Sequence, residues 1–172
     1  LQSGRYDSNY WGKLPDLMIE NKQATNWLHI FVEDGFLSSA AEARNLIKRF
    51  NKKKYGNQVH ATLSSFLSVR LIFNVLKDWY KLFNLKSLVC MQIKKETDYL
   101  WPLFEKDCQA SMIGIPAMSN LLYLHLFEQA MGYLPTQERG CYLQENQGWE
   151  FSFIYSWQAK MNGGKLIGVP HS

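Results

Sequence analysis

The sequence contains no P-loop, no G-x-S-x-G elbow, no H-E-x-x-H pair and no G-x-G-x-x-G fingerprint. The usual single-motif routes to nucleotide hydrolysis, serine hydrolysis, zinc proteolysis and dinucleotide redox chemistry are therefore missing. Cysteine is scarce: Cys90, Cys108 and Cys141 form an odd set without C-x-x-C spacing. That argues against a disulfide frame or a zinc site and for reduced thiols in a cytoplasmic protein, with no metal and no cofactor expected. A strong charge of one sign is also lacking. Lys and Arg total 19 against 15 Asp and Glu, a net charge of +4, which permits an anionic partner without selecting one. Residues 1–10 are polar and show no apolar signal-peptide core. The long uncharged stretch 110–127 is interrupted by Ser111, Gly114, Pro116, Ser119, Asn120 and His125. A membrane span needs ~20 predominantly apolar residues, so this run is expected to be a buried helix.

What is present is the material of a core. Hydrophobic residues make up 47% of the 172-residue chain and aromatics 15%, enough for one ordinary domain, or a small domain with part of another. The apolar run 27–32 (WLHIFV) precedes the turn signal EDG and predicts a buried strand. Ser39 and Glu42 form a capping box ahead of Ala43, Leu46, Ile47 and Phe50, which recur at helical spacing. The pattern over 62–83 predicts a long amphipathic helix. Phe66, Val69, Phe73, Leu76, Tyr80 and Phe83 lie on one stripe, and Arg70, Asn74, Lys77, Asp78 and Lys81 on the other. A strand is expected at 88–93 and helices at 99–112 and 116–132, the last opening at Pro116.

The C-terminal stretch reads strand, helix, strand. Residues 141–144 suit a short strand. Trp149, Phe153 and Trp157 recur every four residues, Gly163 and Gly164 stop the helix, and 165–169 form the next strand. About 30 residues suffice for such a βαβ crossover. The fold class is thus α/β, helix-rich, with a C-terminal Rossmann-like βαβ unit. The expected organisation is a disordered or extraneous lead at 1–10, a helix-rich α/β region at 11–135 and the start of a donor-side domain at 140–172.

Ligands of open parallel sheets bind beyond the carboxyl ends of the strands. Here those ends carry Glu145, Asn146 and Gln147, and Pro170, His171 and Ser172. Gln147 and Gly148 open a helix, whose unpaired N–H groups attract anions. His171 suits a phosphate donor or an acid–base role, and equally a loop hydrogen bond. Glu145 suits a sugar-hydroxyl ligand or a base, and equally a partner for the helix dipole. Glu150 reads as a first-turn dipole partner, and His29 and His125 as core residues. The basic group Lys48, Arg49, Lys52, Lys53 and Lys54 reads as a solvated helix end or a contact for anionic lipid. No nucleic-acid motif accompanies it.

Three segments carry a resemblance: 10–15 (YWGKLP), 26–30 (NWLHI) and above all 142–150 (YLQENQGWE) with 168–172 (GVPHS). They resemble bacterial surface-carbohydrate biosynthesis proteins of O-antigen and capsule loci, which are similar to GT-B glycosyltransferases using CMP-activated sugars of the Kdo or sialic-acid type. The resemblance implies a nucleotide-sugar donor, a glycolipid or polysaccharide acceptor and a place in the cytoplasm, at the inner face of the membrane. It also implies catalytic roles for Glu145 and His171, with Asn146, Gln147, Gly148 and Ser172 at the donor. A GT-B donor domain needs further strands after His171. The chain is therefore expected to be an excerpt of a longer protein, inactive by itself. The alternative is a non-catalytic nucleotide- or polysaccharide-binding module, or an assembly module, of the same pathway.

Overall fold

A computed structural model describes residues 5–33, 37–53 and 56–170. The protein is a helix-rich α/β structure; among the described residues the strands form two two-stranded sheets. It divides into two compact units, Leu1–Leu67 with Val169–Ser172, and Ser68–Gly168.

In the first unit α1 (Leu14–Glu20) leads to β1 (Thr25–His29), α2 (Ala40–Lys52) and β2 (Gln58–Thr62). β1 and β2 pair in parallel, Thr25 opposite Gln58 through His29 opposite Thr62. The helix between them makes this a strand–helix–strand crossover. α2 begins where the capping signal predicts: Ser39 Oγ accepts the Glu42 N–H at 3.2 Å. The Glu42 carboxylate accepts from Ser38 N–H and hydroxyl at 3.1 and 3.0 Å, so two exposed donors are satisfied ahead of the first turn. Ala43, Ile47 and Phe50 form the buried face of α2. Asn51 then clamps the helix end to β2, donating to His60 C=O at 2.8 Å and accepting from His60 N–H at 3.1 Å.

Several boundaries differ from the expectation. The strand expected at 27–32 is shifted to Thr25–His29, and Val32 is exposed. β2 lies ahead of the helix expected over 62–83, sharing only Thr62 with it, where no strand was expected. Its residues alternate buried and more exposed from Gln58 to Thr62, the period of a strand. The lead at 1–10 is ordered in part: Tyr6 is buried, and Arg5 Nε donates to Asp16 at 3.0 Å.

The second unit opens with α3 (Val69–Thr97), capped by Ser68 Oγ on the Leu71 N–H at 3.2 Å. A 3₁₀ turn at Asp98–Leu100 folds the chain back into α4 (Trp101–Ile113), and α5 (Ile115–Tyr133) follows. The helix breaks at Gly114, where the chain turns from α4 into α5. A side chain there would sit 2.9 Å from Ala110 C=O, so the bend needs glycine. The strand expected at 88–93 is helix, the continuation of α3. Its short apolar run (LVCMQI) fits either period, and the helix on its N-terminal side decides the outcome.

β3 (Arg139–Gln144), α6 (Gly148–Lys160) and β4 (Lys165–Pro170) complete the chain. β3 and β4 are neighbours, and the Lys165 N–H at the start of β4 donates to Glu138 C=O beside the start of β3 at 2.8 Å. Their starts lie together, so the strands run parallel. α6 packs on α5 through Phe153 and Phe127, ring centroids 5.2 Å apart. Trp157 lies across the beginning of the sheet, its Nε1 donating to Gly164 C=O at 2.8 Å. A Cβ at Gly140 would come within 2.5 Å of that indole, so glycine is what lets the ring lie flat there. α5 and α6 share this core, and both lie in the unit Ser68–Gly168.

α3 turns an unexpected face to its neighbours. Leu71, Val75 and Cys90 are buried, with Leu82, Val89 and Ile93 half-buried. Of the predicted apolar stripe, Val69, Phe73, Leu76, Tyr80 and Phe83 are exposed, while Phe66 is half-buried in a 3₁₀ turn ahead of α3. Both faces carry apolar residues, so periodicity finds the helix without saying which face packs. Among the described residues no single helix is long and apolar enough to cross a membrane.

Candidate functional site

The loop 145–148 lies between the carboxyl end of β3 and the N-terminus of α6, the position expected of a ligand site. Glu145, Asn146, Gln147 and Gly148 are all exposed. Asn146 adopts a left-handed backbone, φ 59°, which asparagine tolerates better than most side chains. The turn is fixed from below by Glu150. Its carboxylate is buried and accepts the backbone N–H of Glu145 at 2.9 Å and of Gln147 at 2.6 Å. Charge-assisted bonds of this kind are short and strong. Glu150 therefore does more than offset the helix dipole: it ties the backbone of Glu145 and Gln147 to the first turn of α6.

Gly148 permits one further close approach. A Cβ there would sit 2.7 Å from Asn120 Oδ1 on α5, so a larger residue would make that amide turn aside from the helix N-terminus. Trp149, half-buried, packs behind the loop against Tyr142 and Phe127, centroids 6.4 and 6.1 Å away. Ser152 Oγ donates to Asn120 C=O at 3.4 Å. Sequence reasoning missed Asn120 because nothing local marks it; only the α5–α6 packing brings it near. His171 and Ser172, the remaining expected site residues, lie outside the described residues. Of the basic group, Lys48, Arg49, Lys52 and Lys53 are exposed at the end of α2, and Lys54 lies outside the described residues.

Two other polar clusters were not expected. On the inner face of the first sheet, His29 Nε2 lies 2.9 Å from His60 Nδ1, inside an aromatic set of Tyr6, Trp27 and Phe50. Burial holds the His29 pKa down to about 4, and burial together with the neighbouring His29 holds His60 at about 3. Both rings are neutral near pH 7. In the second unit His125 joins α5 to α3, with Nε2 3.0 Å from Asp78 Oδ2 and Nδ1 3.2 Å from Glu128 Oε2. Asp78 also meets Lys81 at 2.6 Å, and that bond, with His125 as a lesser contributor, lowers its pKa. Both ring nitrogens of His125 are engaged by carboxylates, so the imidazole is placed as a helix–helix tie. Among the described residues no three His, Cys, Asp or Glu side chains converge on a metal position.

Comparison with protein-family models, curated proteins and solved structures finds no match for this chain.

Proposed function

We propose that the chain is part of a glycosyltransferase-like protein of bacterial surface-polysaccharide biosynthesis, with 145–148 as the edge that meets a CMP-activated sugar. The observation that carries this reading is the parallel β3–α6–β4 crossover with its exposed strand-end loop. In a Rossmann-like donor domain, that loop is where a nucleotide diphosphate or monophosphate approaches a helix N-terminus. Glu145 would serve as sugar ligand or base, Asn146 and Gln147 would offer amides to the nucleotide, and Gly148 would offer its backbone N–H at the start of α6. His171 and Ser172 keep the roles the resemblance implies. The acceptor would be a glycolipid or polysaccharide at the cytoplasmic face of the membrane, where Lys48–Lys53 could meet anionic lipid.

The test is a titration of intrinsic tryptophan fluorescence with CMP, using AMP and UMP as controls and Trp149→Phe to assign the change. Saturable change with CMP, reduced in Glu145→Gln, supports the reading. No response to any nucleotide, with the fold intact by circular dichroism, would sink it.

A second reading, an assembly module of the same pathway, is favoured by the exposed apolar stripe of α3. It predicts no nucleotide response and specific retention of another enzyme of the pathway.

A further inference from the structure

We propose that Cys90 and Cys108 form a dithiol–disulfide site, which low-molecular-weight disulfides oxidise to a bridge between α3 and α4. The two helices are consecutive arms of a hairpin closed by the 3₁₀ turn Asp98–Leu100. Hairpin geometry brings residues 18 apart in sequence face to face, and the two sulfurs lie 3.3 Å apart as free thiols. A disulfide needs a separation of about 2.05 Å. The remaining gap is on the scale of a side-chain rotation, with no need for the helices to part.

The two thiols differ in access, and that difference orders the chemistry. Cys90 is buried and Cys108 is partly exposed. The Cys108 thiolate attacks a sulfur of the external disulfide RSSR, forming a Cys108–S–S–R mixed disulfide and releasing one thiolate RS⁻. The Cys90 thiolate then attacks Cys108 Sγ, closing the bridge and releasing the second RS⁻. Two protein thiols are oxidised, one disulfide is reduced to two thiols, and the two protons are shared with the released thiolates. Burial and the adjacent Cys90 raise the Cys108 pKa, so little thiolate is present at neutral pH and exchange speeds up as pH rises. Cys141, exposed on β3, is the built-in control. It is accessible to the same oxidant, and no thiol contact is seen for it among the described residues.

The experiment treats the full chain with oxidised glutathione at mildly alkaline pH, quenches with N-ethylmaleimide and maps the products by mass spectrometry. The expected product has lost two hydrogens in a Cys90–Cys108 linked peptide, while Cys141 carries glutathione or maleimide. In Cys90→Ser the reaction should stop at glutathione on Cys108, and in Cys141→Ser the bridge should still form. Alkylated Cys90 and Cys108 alongside glutathionylated Cys141 would overturn the proposal. So would a stable glutathione adduct on Cys108 in the unsubstituted chain, or a bridge that includes Cys141.

Discussion

A hydrogen bond joins His29 and His60 edge to edge: the ring nitrogens are 2.9 Å apart and the ring planes lie within 8° of parallel. One imidazole must donate and the other accept, which requires that the accepting nitrogen be unprotonated. A proton on that nitrogen would replace a bond with a repulsion.

Acid should therefore weaken the first unit. Both folded-state pKa values, about 4 and about 3, lie below the ordinary 6.5. Between 6.5 and those values the unfolded chain binds more protons than the folded one, so stability falls as pH falls through that window. Above 6.5 neither ring contributes a slope. The loss by pH 4.5 should be about 2–3 kcal/mol for each ring, about 5 kcal/mol for the pair, since one pKa unit corresponds to ~1.4 kcal/mol. Thermal melts from pH 7.5 to 4.5 (roughly the window set by the linkage argument) check it. His60→Phe should flatten the slope, and an unchanged slope would remove the pair from the account.

The loop at 145–148 should depend on Glu150 more than on Glu145. Glu150→Ala leaves the N–H groups of Glu145 and Gln147 without their acceptor and should cost about 1–3 kcal/mol in urea denaturation. Glu145→Gln, at an exposed position, should change stability by less than about 0.5 kcal/mol. Equal losses in the two variants would contradict the assignment of Glu150 as the organiser of the turn.

The packing of α3 gives a sharper contrast. Phe73 is 67% exposed and Val75 only 3%. Phe73→Lys should leave urea stability within about 0.5 kcal/mol. Val75→Ala should cost about 1–3 kcal/mol, through lost burial and the cavity left behind. The opposite ranking would mean that the stripe legible in the sequence is the packed face after all.

Two glycines should respond in opposite directions. Gly140→Ala drives a methyl into the Trp157 indole and should cost about 1–3 kcal/mol. Gly132 lies inside α5 with nothing within 4 Å of its absent Cβ. Gly132→Ala should stabilise by about 0.5–1 kcal/mol, because alanine loses less backbone entropy in a helix. Paired thermal melts decide both.

How much of this was legible depends on whether the signal is local. The start of α2 was readable at Ser39 and Glu42 because a cap is made by residues three apart. The crossover β3–α6–β4 was readable because Trp149, Phe153 and Trp157 keep helical spacing and Gly163 takes a left-handed angle, φ 81°. β2 was not readable: Gln58, His60 and Thr62 are polar, yet they face inward, satisfied by Pro15, His29 and Ser65. An inward polar face inverts the pattern by which strands are found. The neighbourhood of Gly148 was half legible, since its helix N-terminus follows from sequence while Asn120 reaches it only through tertiary packing.

The wet stripe of α3 also has a thermodynamic signature. Apolar side chains that stay hydrated in the native state release no new hydration on unfolding. Val69, Phe73, Leu76, Tyr80 and Phe83 should therefore add little to the heat-capacity increment, which averages ~12–15 cal/mol/K per residue in well-buried domains. A calorimetric increment below that range would be their mark, and a rise in it when a partner is bound would identify the surface that covers them.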